Sequence, residues 1–123
     1  MNGNQIGTAM LSVGNDWRIT HHTLSEIDPE DLQHWEATHL MKLWPLYFVQ
    51  DLLQIEKKDD SELIDVSWLP DGEMEGEYLI ERFSKGAVGE WNWKEPKRSE
   101  RTRSLQRIID LVRQMTTENR TSL

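Results

Sequence analysis

Acid–base or metal chemistry in this chain would have to come from four histidines and twenty-two carboxylates, because cysteine is absent. The histidines are spaced wrongly for shared work. His21 and His22 are adjacent, and His34 and His39 lie five apart, off a common helical face, whereas a helical zinc pair needs i and i+4. Glu73-x-Glu75-x-Glu77 beside Asp71-Gly72 offers calcium-type ligands without the twelve-residue loop that would place them regularly. A glycosidase-like carboxylate pair can always be drawn from so many acids, so finding one means little. No G-x-G-x-x-G, no Walker-type phosphate loop and no G-x-S-x-G elbow occurs. The expectation is a protein without cofactor or metal that binds rather than catalyses. A small hydrolase or metal-dependent enzyme using Asp and His is the alternative, and it requires a concave site where a histidine meets carboxylates.

The strongest feature is a charge imbalance. From Glu56 to Glu81 ten carboxylates stand against two lysines, a net -8 that equals the charge of the whole chain. Residues 1–55 sum to -5 and residues 82–123 to +5, so the remainder cancels. A field concentrated in this way steers a basic partner toward one region of a surface. The expected contacts are Asp65, Asp71, Glu73, Glu75 and Glu77 for charge. Trp68 and Tyr78 are the aromatic anchors that affinity would need, with Trp91 and Trp93 as further candidates. Phosphate backbones are disfavoured as ligands by the overall charge. Arg98, Arg101, Arg103 and Arg107 read as a basic cluster at a helix start, solvated or paired with the acidic hairpin. A phosphate contact is the lesser option for them.

The elements that must carry these residues follow from periodicity. Ile64, Val66 and Trp68 alternate with Asp65 and Ser67, which predicts a strand, and Pro70-Asp71-Gly72 ends it with turn chemistry. Tyr78–Phe83 reads as the returning strand, and Val88–Trp93 as the next after a Lys85-Gly86 turn. Leu52–Lys57 is preferred as a strand pairing across Asp59-Asp60, within a stretch (46–56) that also fits a helix; Pro45 should break whatever precedes it. Trp17–Thr20 is a short strand candidate. Asp28-Pro29-Glu30-Asp31 predicts a helix start, continuing to about Leu40 with Leu32, Trp35 and His39 along one side. Leu105, Ile108, Ile109, Val112 and Met115 form a 3.6-period stripe, capped by Ser99 or Thr102.

The fold expected is therefore α+β. An antiparallel β-meander of three to five strands packs against an amphipathic C-terminal helix, with a shorter helix in the N-terminal half. Residues 1–15 are expected as a polar, partly flexible arm, 16–116 as one domain and 117–123 as a frayed tail. With 37% hydrophobic residues and six tryptophans, the chain has enough apolar material for one core. No apolar run reaches membrane-spanning length and no secretory signal pattern is visible, so cytoplasm is the default expectation.

The run Ile64-Asp65-Val66-Ser67-Trp68-Leu69-Pro70-Asp71-Gly72, followed by Gly76-Glu77-Tyr78-Leu79-Ile80, resembles a segment of small bacterial immunity proteins. These belong to polymorphic-toxin and contact-dependent growth inhibition systems. Trp91 to Trp93, Glu95-Pro96 and the terminal helix extend the similarity over roughly residues 61–115. The resemblance implies a small cytoplasmic α+β protein without cofactor that binds the cognate toxin C-terminal domain, many such toxins being nucleases with basic grooves. It transfers no contact residue. A cytoplasmic adaptor unrelated to toxins is the third option.

Overall fold

The alternation at Ile64, Val66 and Trp68 builds the middle of a five-stranded antiparallel sheet in the computed structural model, which describes residues 7–30, 44–86 and 89–117. The strands are β1 (Trp17–His22), β2 (Leu53–Lys57), β3 (Glu62–Leu69), β4 (Glu77–Ser84) and β5 (Arg98–Thr102), in spatial order β1-β2-β3-β4-β5. Every neighbour in space is the neighbour in sequence, so the sheet is a meander. Helical residues 44–47 (α1) precede β2, and α2 (Leu105–Thr117) follows β5. The α+β architecture is thus present, with α2 on the sheet.

Register decides which side chains share a face. The pairs Leu53↔Val66, Ile55↔Ile64, Val66↔Ile80 and Trp68↔Tyr78 stack one apolar layer, and each of these side chains is fully buried. Onto it α2 lays Leu105, Ile108, Leu111, Val112 and Met115, while Ile109, expected in the stripe, packs at its margin. Trp44 and Phe48 join Trp68 and Tyr78 at one end, with ring centroids 4.5–6.4 Å apart in tilted or edge-on geometry. At the other end Trp17 lies beneath the Arg82 guanidinium, 5.6 Å from its ring centroid. Such stacking adds to the area effect of burying large rings.

Several expectations change. The fifth strand is Arg98–Thr102, which sequence had placed at a helix start. Among the described residues of Val88–Trp93, Trp91 makes only an isolated bridge to Lys85, and Trp93 packs edge-on against Phe83 at 4.9 Å. Neither Ser99 nor Thr102 caps α2. Ser104 does, its Oγ accepting the Arg107 N–H at 3.1 Å, while Thr102 Oγ1 accepts the Ser104 N–H. Pro45 lies within the helical residues 44–47, and the Phe48 N–H closes on the Trp44 carbonyl at 3.1 Å. Within its described part the arm touches the rest of the fold: Ala9 is buried and donates to Leu24 O, and the Gly14 N–H donates to Thr116 Oγ1, while Met10 stays exposed. Asp28 does accept the Glu30 N–H at 3.0 Å. The helix expected beyond it, with Leu32, Trp35, His34 and His39, and the tail after Thr117 lie outside the described residues.

Candidate functional site

Residues 70–76, the connection between β3 and β4, carry most of the acidic side chains expected as contacts, with Glu77 opening β4, and two consecutive turns shape them. The Glu73 N–H donates to Pro70 O and the Gly76 N–H to Glu73 O, at 3.1 and 3.0 Å. Gly72 has φ 74° and donates its N–H to Phe48 O at 2.7 Å, a left-handed position that glycine occupies without strain. Asp71 turns inward enough to accept the Gln50 N–H at 3.2 Å. From below, Trp68 Nε1 donates to Glu73 O at 2.7 Å. Gly76 crosses so close to that indole and to Leu69 O that a Cβ there would collide with both.

Arg103 closes the loop from outside. Its guanidinium donates to Met74 O at 3.1 Å and to Gly76 O, and it stacks on Trp68 with 5.4 Å to the ring centroid. The carbonyls are thereby satisfied and the acidic side chains left outward. Glu73, Met74 and Glu75 are all exposed, Met74 by 51%. Among the described residues no lysine or arginine bridges Asp71, Glu73 or Glu75. Glu77 differs, since Arg101 approaches it to 3.5 Å.

The other acids of Glu56–Glu81 do not join this loop, so the single concentrated patch expected from sequence is corrected. Asp59 and Asp60 occupy the β2–β3 turn, at the opposite end of a strand about 25 Å long at the usual rise. There Asp60 meets Arg18 at 3.4 Å, and bonds from Ser61 hold Asp59 below the usual carboxylate range. Glu62 accepts from Arg82 Nε at 2.6 Å and from Lys97 at 3.1 Å. Burial works to raise its carboxyl, but those two cations outweigh burial and lower it.

Asp65 lies on the outer sheet face, as its alternation requires, yet it is half-buried. Gln54 and Ser67 donate to it at 3.3 Å, and Glu81 stands directly opposite on β4. Burial first, and then like charge, push both carboxyls up: Asp51 acts on Asp65, and Asp65 acts on Glu81. Trp68 and Tyr78 take no part in any surface. Both are 0% exposed, so the aromatic anchors expected from sequence are core residues. Alternation had already put Trp68 with Ile64 and Val66, and its pairing with Tyr78 carries Tyr78 to the same face.

The late arginines are largely spoken for by the protein itself. Arg98 bonds Gln114, Arg101 meets Glu77, Arg103 holds the loop and Arg107 grips Glu100 at 2.6 Å. His21 Nε2 bonds the Asp51 carbonyl at 2.7 Å and His22 Nε2 the Ala9 carbonyl at 2.9 Å, so both rings engage backbone rather than carboxylates. Among the described residues no three histidine or acidic side chains converge as metal ligands, and no helix is long and apolar enough to cross a membrane. Arg103 is the residue whose role sequence conceals most, since nothing in its neighbourhood signals a bond to a loop 27 residues earlier. No protein-family model, curated protein or solved structure matches the chain.

Proposed function

We propose that this protein is an immunity protein, which binds the toxic C-terminal domain of a bacterial polymorphic-toxin or contact-dependent inhibition system and neutralises it by stoichiometric occlusion in the cytoplasm. The observation that carries the reading is the 70–76 loop, pinned by Trp68, Arg103 and Phe48, which holds Glu73 and Glu75 exposed around Met74 with no cation paired to them among the described residues. A loop fixed before encounter loses little conformational entropy on binding. Its uncompensated carboxylates favour a cationic surface such as the substrate groove of a nuclease. Asp71 stands beside them, while Glu77 contributes less because Arg101 already neutralises part of its charge.

The test is co-expression with a toxin domain encoded directly upstream, followed by an activity assay and binding kinetics. Wild type is expected to form a one-to-one complex that abolishes activity. Glu73→Lys with Glu75→Lys is expected to slow association about 10- to 100-fold at low ionic strength, the difference shrinking as salt screens it. Association rates that ignore both the double reversal and the salt would refute the assignment of this loop.

A further inference from the structure

Residues 45–52 run as a strap between the acidic loop and the N-terminal segment, and their two sides serve different neighbours. Toward the loop, Phe48 O receives the Gly72 N–H and the Gln50 N–H reaches Asp71. On the other side a groove of about 240 Å³ opens, lined by Leu46, Tyr47, Val49 and Leu52 from the strap, with Thr8 and His22 among the residues opposite. Leu46 is 67% exposed at its lip, although the chain has ample core in which to hide a leucine.

Three of the polar side chains that line this groove, those of His22, Thr23 and Ser25, already have partners. His22 Nδ1 accepts from the Leu24 N–H and Nε2 bonds Ala9 O, Thr23 Oγ1 donates to Leu52 O, and Ser25 Oγ accepts from the Ile27 N–H. What remains on offer is mainly apolar surface, from Leu46, Val49, Leu52 and the Tyr47 ring. The volume falls below the roughly 300–1,000 Å³ of small-molecule sites, and suits one inserted side chain. The rims are acidic on both sides. Glu26, exposed, accepts the Gly7 N–H at 2.8 Å on the far wall, Asp71 and Glu73 follow beyond the strap, and among the described residues no lysine or arginine lines the groove.

We infer that this groove receives one large apolar side chain of the partner, flanked on that partner by basic residues. The inference rests on the reading of the acidic loop as a docking surface and adds what that loop lacks. Charge speeds encounter, whereas affinity comes from a buried anchor. With Trp68 and Tyr78 enclosed in the core, the anchor is supplied by the partner and the socket by this chain. The strap that lines the groove through Leu46, Tyr47 and Val49 also holds the loop, through Phe48 O and the Gln50 N–H.

Blocked tripeptides separate the parts: Arg-Phe-Arg, Arg-Ala-Arg and Glu-Phe-Glu, followed by amide NMR shifts in the intact chain. Arg-Phe-Arg is expected to move Thr8, His22, Leu46 and Val49 together with Glu73 and Glu75, and to bind about tenfold more tightly than either of the others. Arg-Ala-Arg should move the loop alone. Leu46→Ser, at a side chain that the fold does not bury, should abolish the groove response and spare the loop response; Val49→Thr, which keeps the shape of the side chain, is the second variant. Equal responses to Arg-Phe-Arg and Arg-Ala-Arg confined to the loop would overturn the socket and leave the acidic loop standing. Equal binding of Glu-Phe-Glu would overturn the basic partner. Groove shifts that grow with protein concentration alone would make a second copy the occupant and overturn the assignment.

Discussion

Replacing Tyr78 by phenylalanine should stabilise the protein. The Tyr78 hydroxyl is buried with no hydrogen-bond partner among the described residues, while its ring packs edge-on against Trp68 at 5.1 Å and tilted against Phe48 at 6.4 Å. A hydroxyl taken from water without a partner costs about 1–3 kcal/mol, and the void left by one oxygen atom returns only about a few tenths. The aromatic contacts survive the change. The expected gain is about 1–2 kcal/mol, or roughly 3–10 °C in Tm for a chain of this size. Urea titration and calorimetry at pH 7 measure it. A second signature lies in alkali, because burial first, with the charge of Asp28 behind it, holds the Tyr78 phenol well above the ordinary value of 10.0. The unfolded chain ionises this group near pH 10 and the folded chain does not, so stability falls as pH rises beyond that point. Tyr78→Phe should lack that part of the fall. A loss of more than about 1 kcal/mol on substitution would refute the reasoning, since it would mean that the hydroxyl is satisfied in solution.

Asp65→Asn removes one member of a cross-strand carboxylate pair, and should gain about 0.5–1 kcal/mol at pH 7. The folded carboxyl is pushed above its unfolded value, so its favourable contribution is complete in acid and is lost as pH rises through the folded pKa. The advantage of the variant should therefore shrink from pH 7 toward pH 4, which urea midpoints across that range would check. Ser104→Ala deletes the cap of α2 and should cost about 0.5–2 kcal/mol, read from thermal melts. Arg103→Gln withdraws the charged donor from the loop carbonyls. It should cost about 1–3 kcal/mol and accelerate amide exchange selectively at residues 73–77.

Much of the sheet is legible in the sequence because its middle is amphipathic. Ile64, Val66 and Trp68 against Asp65 and Ser67 fix both β3 and its core face, and Pro70-Asp71-Gly72 marks its end. The terminal helix announces itself equally well. β5 does not, because Arg98-Ser99-Glu100-Arg101-Thr102 contains no apolar residue. Its inward positions Arg98 and Glu100 are covered by polar partners on α2, Gln114 and Arg107, so burial leaves no hydrophobic trace. Tryptophan pairing misleads for a related reason: Trp91 and Trp93 have strand spacing, but Trp93 packs on Phe83 while Trp91 bridges to Lys85 and lies under its ammonium. For the candidate surface, composition finds the acids but not their positions. A strand's length separates Asp59 and Asp60 from Glu73 and Glu75, and cations from distant segments neutralise Glu62. The groove beside the strap is invisible in one dimension, because its walls come from segments distant in sequence that meet through bonds such as Thr23 N–H to Leu52 O.

The bond from Arg103 to the Met74 and Gly76 carbonyls also has a temporal side. Synthesis delivers residues 74–76 to the ribosome exit well before the guanidinium that fastens them, which lies 27 to 29 positions later. At about 5–20 residues per second, seconds separate the loop from its clasp. A nascent chain lacking β5 and Arg103 can thus hold this loop through the Trp68 indole, the Phe48 carbonyl and the Gln50 N–H, and the loop gains its full set of bonds only after residue 103 has emerged.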